Sequence, residues 1–207
     1  FQNAPPSGFL ALCTANLPDP SIDPNAEENP TDYFDTLTWS KQGADDSSIT
    51  LTGLGFQPDF VWAKGRTDVT SHQLYDVVRG TGKGLSTDNS GAEVSNNGNG
   101  YISAFTSDGF TAVSGSTNNF YFNYRDGKNY VAWNWKAGGT AASNTDGDVT
   151  SSVSANTKSG FSIVTYTTTG VGDITVGHGL GKAPEFIFGK VRGENYGWNV
   201  FALPAGV

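Results

Sequence analysis

Cysteine is nearly missing from this chain. Cys13 is the only one in 207 residues, which rules out an internal disulfide framework and a cysteine-based zinc site. Methionine is absent altogether, position 1 included, so the expectation is a mature or truncated product. Charge is also sparse, at 15% of residues, and it leans acidic: 12 Lys and Arg face 20 Asp and Glu. The formal net charge of −8 leaves no clustered basic surface to displace counterions from a phosphate backbone, so no nucleic-acid partner is expected. No run approaches the roughly 18 apolar residues of a membrane-spanning helix, and no signal peptide is visible; membrane insertion is not expected. Helical apolar spacing is missing as well.

What is present points to β structure. The chain has 27 Gly, many Ser and Thr, and 13% aromatic residues. Its length allows one or two domains, each able to bury a usable core.

The strongest internal signal is a repeat. LGFQPDFVWAKGR, starting at Leu54, returns as LGKAPEFIFGKVR, starting at Leu180, with no gap and a constant offset of 126 residues. Pro58 falls on Pro184, Asp59 on Glu185, Phe60 on Phe186, Trp62 on Phe188, Lys64 on Lys190 and Arg66 on Arg192. The offset persists beyond the turn, placing His72 on Trp198, Leu74 on Val200 and Tyr75 on Phe201. Upstream, TLTWS (36–40) resembles IVTYT (163–167), and SITLTGLG (48–55) resembles DITVGHGLG (173–181) with one residue of slip. A unit this long is a domain-sized module and not a solenoid repeat. The second copy stops soon after its aligned segment, so the chain is expected to be a piece of something longer.

Six of the nine prolines lie in residues 1–30, where lost amide donors and fixed φ favour an extended connector. Strands are expected over 33–40, 48–54, 60–64 and 73–78. FVWAK is apolar on both alternating faces, as in a central strand of a packed sandwich. Residues 80–100 are Gly, Asn, Ser and Asp rich and read as loops around one short strand, followed by a hairpin of 101–105 with 109–113. The fold expected is all-β: an antiparallel β-sandwich or jelly-roll-like module at 31–139, a polar linker at 140–158, and a partial second copy at 159–207.

Asp126-Gly127 suits a two-residue type I′ turn, which predicts a hairpin within NFYFNYRDGKNYVAWNWK. Its register collects Phe120, Phe122, Tyr124, Val131, Trp133 and Trp135 on one face, read as core. Tyr121, Asn123, Arg125, Lys128, Tyr130, Ala132 and Asn134 fall on the other, read as outward. Exposed aromatic faces with planar polar side chains suit a sugar, so Tyr121, Asn123, Arg125 and Tyr130 are the candidate ligand-binding residues, joined by His72 and Tyr75 of the neighbouring repeat. The competing structural reading is that the tyrosines cover a trimer interface.

No catalytic residue stands out. His72 aligns with Trp198 in the other copy, His178 sits in a Gly-rich turn, and neither HExxH, GxSxG nor a P-loop is present. Asn144, Asp146 and Asp148 alternate as calcium ligands do but lack the EF-hand length and terminal Glu, so Asx turns account for them and no metal is expected. The repeated Lys-x-Arg reads as a structural feature, with Lys64 placed to reach Asp76.

PPSGFLALCTANLP, GFQPDFVWAKGR, LYDVVRG, YVAWNWKAGG, SVSANTKSGFSIVTY and GHGLGKAPEFIFGK, in that order, resemble the tandem repeat modules of tailed-phage tail-fibre and related virion surface proteins, found after SPRY or concanavalin A-like domains. The resemblance covers nearly the whole chain and departs from the pattern at the C-terminus, where later strands are missing. It implies a structural, non-enzymatic protein of the virion surface, without cofactors: a tail or capsid fibre, trimeric, touching other virion proteins and attaching to the host, with a host-surface glycan as the ligand class. The alternative is an extracellular carbohydrate-binding module attached to an enzyme or cell-surface protein.

Overall fold

A computed structural model describes residues 29–41, 47–96, 98–115, 122–123, 127–168, 170 and 172–203. Most of the proline-rich connector lies outside them, as do Cys13, Tyr121 and Arg125. The chain is all-β. Short strands alternate with Gly- and Asp-rich connections, as a Thr- and aromatic-rich sequence punctuated by Gly and Asp dictates.

In order, these are β1 (Phe34–Ser40), β2 (Ser48–Thr52), β3 (Phe60–Gly65), β4 (Gln73–Asp76), β5 (Lys83–Ser86), β6 (Val94–Ser95), β7 (Gly100–Thr106) and β8 (Gly109–Ser114). They continue with β9 (Asn129–Trp135), β10 (Ala142–Asn144), β11 (Ser151–Asn156), β12 (Phe161–Tyr166), β13 (Phe186–Gly189) and β14 (Asn199–Ala202). The expected strands up to β8 all form, ending within two residues of their predicted limits. The glycine-rich stretch before β7 carries two short strands where one was expected.

A six-stranded sheet in the order β1-β9-β3-β4-β5-β6 faces a three-stranded sheet in the order β2-β8-β7. Between them lies the main core. Trp39, Val61, Ala63, Tyr75, Tyr130 and Ala132 from the large sheet meet Ile102, Phe110 and Ala112 from the small one, with Phe122 alongside. This is a β-sandwich, and its two-sided apolar β3 is the central strand the sequence called for. Val61 and Ala63 enter the main core. Phe60 points the other way, into a second cluster with Leu74, Ala137 and Ile163, and Trp62 packs against the same cluster.

The predicted Asp-Gly hairpin is corrected by β9. This strand pairs antiparallel with β1 on one side, Phe34 opposite Trp135, and with β3 on the other, Phe60 opposite Trp135. Both edges of β9 are therefore taken by β1 and β3, and of the expected partner strand only Phe122 and Asn123 lie among the described residues. Phe122 and Asn123 form a bend, with Asn123 at φ +48°. The faces are also reversed: Tyr130, Ala132 and Asn134 are buried, at 3%, 0% and 0% exposure, while Val131, Trp133 and Trp135 are only half-buried.

Residues 140–158 likewise depart from the expected linker. They carry β10 and β11, which join β12 in a three-stranded sheet. On the ladder with β12, Ser151 and Val153 are buried on one face and Ser154 on the other.

One carboxylate ties the start of β3 to the end of β9. Asp59 is buried, and its Oδ2 accepts the backbone N–H of Ala137 at 2.8 Å and of Gly139 at 3.0 Å, while Oδ1 accepts Gln57 Nε2 at 2.9 Å. Removing the acceptor strands a buried amide in a site that water cannot reach. Asp59→Ala should therefore lower folding stability by about 2–4 kcal/mol, and Asp59→Asn by less, because one acceptor oxygen remains; urea unfolding midpoints measure both.

Candidate functional site

The four nominated ligand residues that are described do not form an outward face. Tyr130 stacks on Trp39 inside the sandwich, ring centroids 5.3 Å apart. Tyr75 lies beside Phe122, its hydroxyl donating to Gly100 O at 3.3 Å, and burial pushes that hydroxyl's pKa well up despite the opposing charge of Arg79. Asn123 is buried too: its Oδ1 accepts Trp39 Nε1 at 3.0 Å and its Nδ2 donates to Ala112 O at 3.4 Å. The polar atoms of Asn123 and Tyr75 that suggested sugar recognition are instead satisfied inside the core by Trp39 and by backbone carbonyls. His72 is on the opposite side, half-buried, its ring 6.0 Å from that of Trp62.

The remaining sequence candidates have structural roles. His178 Nδ1 accepts Leu180 N at 3.3 Å and its carbonyl accepts Ser162 Oγ at 2.6 Å, fixing a turn. Asn144 Oδ1 accepts Asp146 N at 2.7 Å, an Asx turn, and Asp148 Oδ2 accepts both Thr175 N and Thr175 Oγ1 at 2.7 Å. Those two bonds from Thr175 hold the Asp148 carboxyl below its ordinary pKa. Among the described residues no group of three or more His, Cys, Asp and Glu is arranged to hold a metal ion.

Lys64 does not reach Asp76, which pairs with Arg79 at 2.5 Å. Lys64 Nζ folds back over the turn that follows β3, donating to Gly65 O at 2.8 Å, Asp68 O at 3.4 Å and Thr70 Oγ1 at 3.1 Å. Lys190 makes the same closure in the later hairpin, donating to Val191 O at 2.9 Å and Glu194 O at 2.7 Å, positions 126 residues on.

The correspondence runs through the whole hairpin. In β3 and β4, Phe60 faces Asp76, Val61 faces Tyr75, Trp62 faces Leu74 and Ala63 faces Gln73. In β13 and β14, Phe186 faces Ala202, Ile187 faces Phe201, Phe188 faces Val200 and Gly189 faces Asn199. Every pair matches at the same offset. Asp59 O accepts Val77 N at 2.9 Å, and Glu185 O accepts Leu203 N at 2.8 Å. Even the turn before each strand matches, since Gly53 and Gly179, and Gly55 and Gly181, all hold the positive φ that favours glycine.

Burial, in contrast, does not match. Val61 and Tyr75 are 0% and 2% exposed, whereas their counterparts Ile187 and Phe201 are 48% and 53% exposed. Phe186 and Val200, on the opposite face of the hairpin, are more exposed still. Covering an apolar side chain of this size is worth about 1.5–3 kcal/mol, so both faces of the later hairpin leave apolar surface uncovered among the described residues. Sequence alone could not reveal it, because the aligned copies have the same pattern and differ only in what surrounds them.

The second hairpin is docked on the first sandwich. Phe188 touches Phe60, ring centroids 6.0 Å apart, and Trp198 Nε1 donates to Ser86 O at 3.0 Å. Glu93 bridges the two parts, accepting from Arg79 at 3.1 Å and from Arg192 at 2.9 and 2.8 Å. Burial alone would raise the Glu93 pKa, but the hydrogen bonds and charges of Arg192 and Arg79 outweigh it and hold the carboxyl below its ordinary 4.5.

Residues 29–204 match the family model described as Domain of unknown function (DUF7483), a span that takes in both hairpins. The chain belongs to the DUF7483 family. Neither the comparison with curated proteins nor that with solved structures finds a match.

The lowered Glu93 pKa carries a signed pH dependence for this DUF7483 chain. A depressed carboxylate contributes stability that is complete above its unfolded value and is lost as pH falls through its folded value. Glu93→Gln should therefore weaken hairpin docking at pH 7, by about 1–2 kcal/mol given that Arg192 is partly in solvent, and the difference from the unaltered chain should disappear as the pH drops below 4.5. Hydrogen exchange of β13 and β14 amides at the two pH values measures it.

Proposed function

We propose that this chain is a structural and adhesive, non-catalytic component of a phage virion, a tail or capsid fibre at the virion surface that takes part in host attachment. The observation that carries the reading is the hairpin built twice, with one register and one lysine closure, and with the later copy packed against the earlier. Reuse of a sheet scaffold in tandem suits a protein whose task is to extend and present. A first β module with a partial second copy accounts for that arrangement. The order of sequence motifs that resembles fibre repeats supports it independently.

The core positions of Tyr75, Asn123 and Tyr130 favour scaffold over recognition in this part of the molecule. Contacts with a host glycan would then fall on loops and on surfaces formed between copies. A homotrimer is the assembly expected, alongside other virion proteins.

One observation favours the alternative, an extracellular carbohydrate-binding module. A shallow polar groove is lined by Ser143, Ser152, Thr165, Tyr166 and Arg192, and Tyr166 is 52% exposed. An exposed aromatic among hydroxyls and a guanidinium suits a sugar ring.

Mass in solution separates the two. The fibre reading predicts a stable trimer at micromolar concentration by light scattering. A monomer retained on a glycan matrix, with retention lost in Tyr166→Ala, would replace it with the carbohydrate-binding reading.

A further inference from the structure

A groove of about 270 Å³ crosses the junction between the first sandwich and the β10-β11-β12 sheet. Phe34 and Trp135 line it from the sandwich, ring centroids 4.8 Å apart, and Ser159, Gly160 and Phe161 line it from the other side. Its walls are mainly aromatic. Trp135 stacks on Phe161 with centroids 6.0 Å apart, and Phe34 is 38% exposed. Both walls are anchored at the end of β9: Lys136 N donates to Tyr33 O at 2.8 Å, and Ser159 Oγ donates to Lys136 O at 3.4 Å.

The chain enters the sandwich beside this groove. Pro30 lines it, and the turn Pro30–Asp32 is fixed by Asn29 N, which donates to Asp32 Oδ2 at 2.6 Å. Upstream, residues 1–28 lie outside the described residues. Their sequence has one run of consecutive aliphatic and aromatic residues, Phe9-Leu10-Ala11-Leu12, and elsewhere sets single apolar residues among Pro, Asp, Asn and Ser. Charge is complementary as well. Asp19, Asp23, Glu27 and Glu28 follow the run, and residues 1–28 contain no Lys or Arg, whereas the groove-lining Trp135 and Ser159 are flanked by Lys136 and Lys158.

We infer that the Phe9–Leu12 run of this same chain docks in the groove and straps the first sandwich to the β10-β11-β12 sheet. Residues 13–29 can span up to roughly 60 Å when extended, at about 3.5 Å each, so reach does not limit the contact. A tethered segment meets its site at an effective concentration of about millimolar, so covering Phe34, Trp135 and Phe161 with Phe9, Leu10 and Leu12 is sufficient to hold it. The acidic stretch then runs back to Pro30 on the side of Lys136 and Lys158. The strap does not depend on the virion reading, so either can fail alone.

The whole chain supplies its own probe, because Cys13, the only cysteine, adjoins the run. A nitroxide attached to Cys13 should remove most of the amide signal intensity of Phe34, Gly160 and Phe161 in nuclear magnetic resonance spectra, and reduction with ascorbate should restore it. Phe9→Asp combined with Leu10→Asp should restore the same signals while the nitroxide is still oxidised, with the signals of β3 and β9 unmoved. In the unlabelled chain, those two changes should shift the Trp135 indole resonance, a readout independent of the nitroxide. The inference is overturned if the three amides keep full intensity beside the nitroxide and the indole does not shift, or if the intensity loss is the same in the double variant. It is also overturned if the loss is as large when only isotopically silent copies in a mixed sample carry the nitroxide, since the run would then come from a second copy.

Discussion

Strand β9 is held along both edges, by β1 and by β3, and the rest of the structure depends on that double pairing. It joins residues near the start of the first module to residues some hundred positions later. It also sets which side chains form the core: with β1 and β3 fixed on either side, Trp39, Val61 and Tyr130 must share one face, opposite Phe110 and Ile102. The other face, carrying Phe60, Trp62, Leu74 and Trp135, is then free to seat β12 and the second hairpin. Asp59 secures the arrangement by receiving the amides beyond the end of β9, where the chain leaves the sheet.

Local sequence and long-range packing do different work in the two hairpins. A proline-led entry, alternating apolar residues and a lysine that closes the turn are sufficient to set register, and both copies share them. Burial is decided elsewhere. Val61 is covered because the β2-β8-β7 sheet lies over it, and Ile187 is exposed because no such sheet lies over it among the described residues. The same local code therefore produces a core hairpin in one place and a largely exposed hairpin in the other.

This division also explains what could be read from the sequence. Strands up to β8, the β7-β8 hairpin, the two-faced β3 and the repeat were legible because each depends on spacing or on neighbouring residues. The partner of β9 was not. Asp126-Gly127 is a strong local turn signal, but it competes with β1 and β3 for the same edges, and pairing across about a hundred residues leaves no periodic mark. The inverted faces follow from this. Asn134 reads as an outward polar residue, yet it is buried and its Nδ2 donates to Asp35 O and Ala132 O, while Trp133 and Trp135 occupy a half-covered outer layer. The candidate site went with it: Tyr130, Tyr75 and Asn123 lie inside the sandwich and not on an outward face.

The account's central claim is that the second hairpin repeats the first residue for residue. Cross-strand nuclear Overhauser contacts in the whole chain test it most directly. The claim predicts that Ile187 lies opposite Phe201 and Phe188 opposite Val200, matching Val61 with Tyr75 and Trp62 with Leu74. A slip of one residue, placing Ile187 opposite Val200 or Ala202, would contradict it, because the apolar faces and the Glu185 O to Leu203 N bond would then no longer correspond to those of the first module.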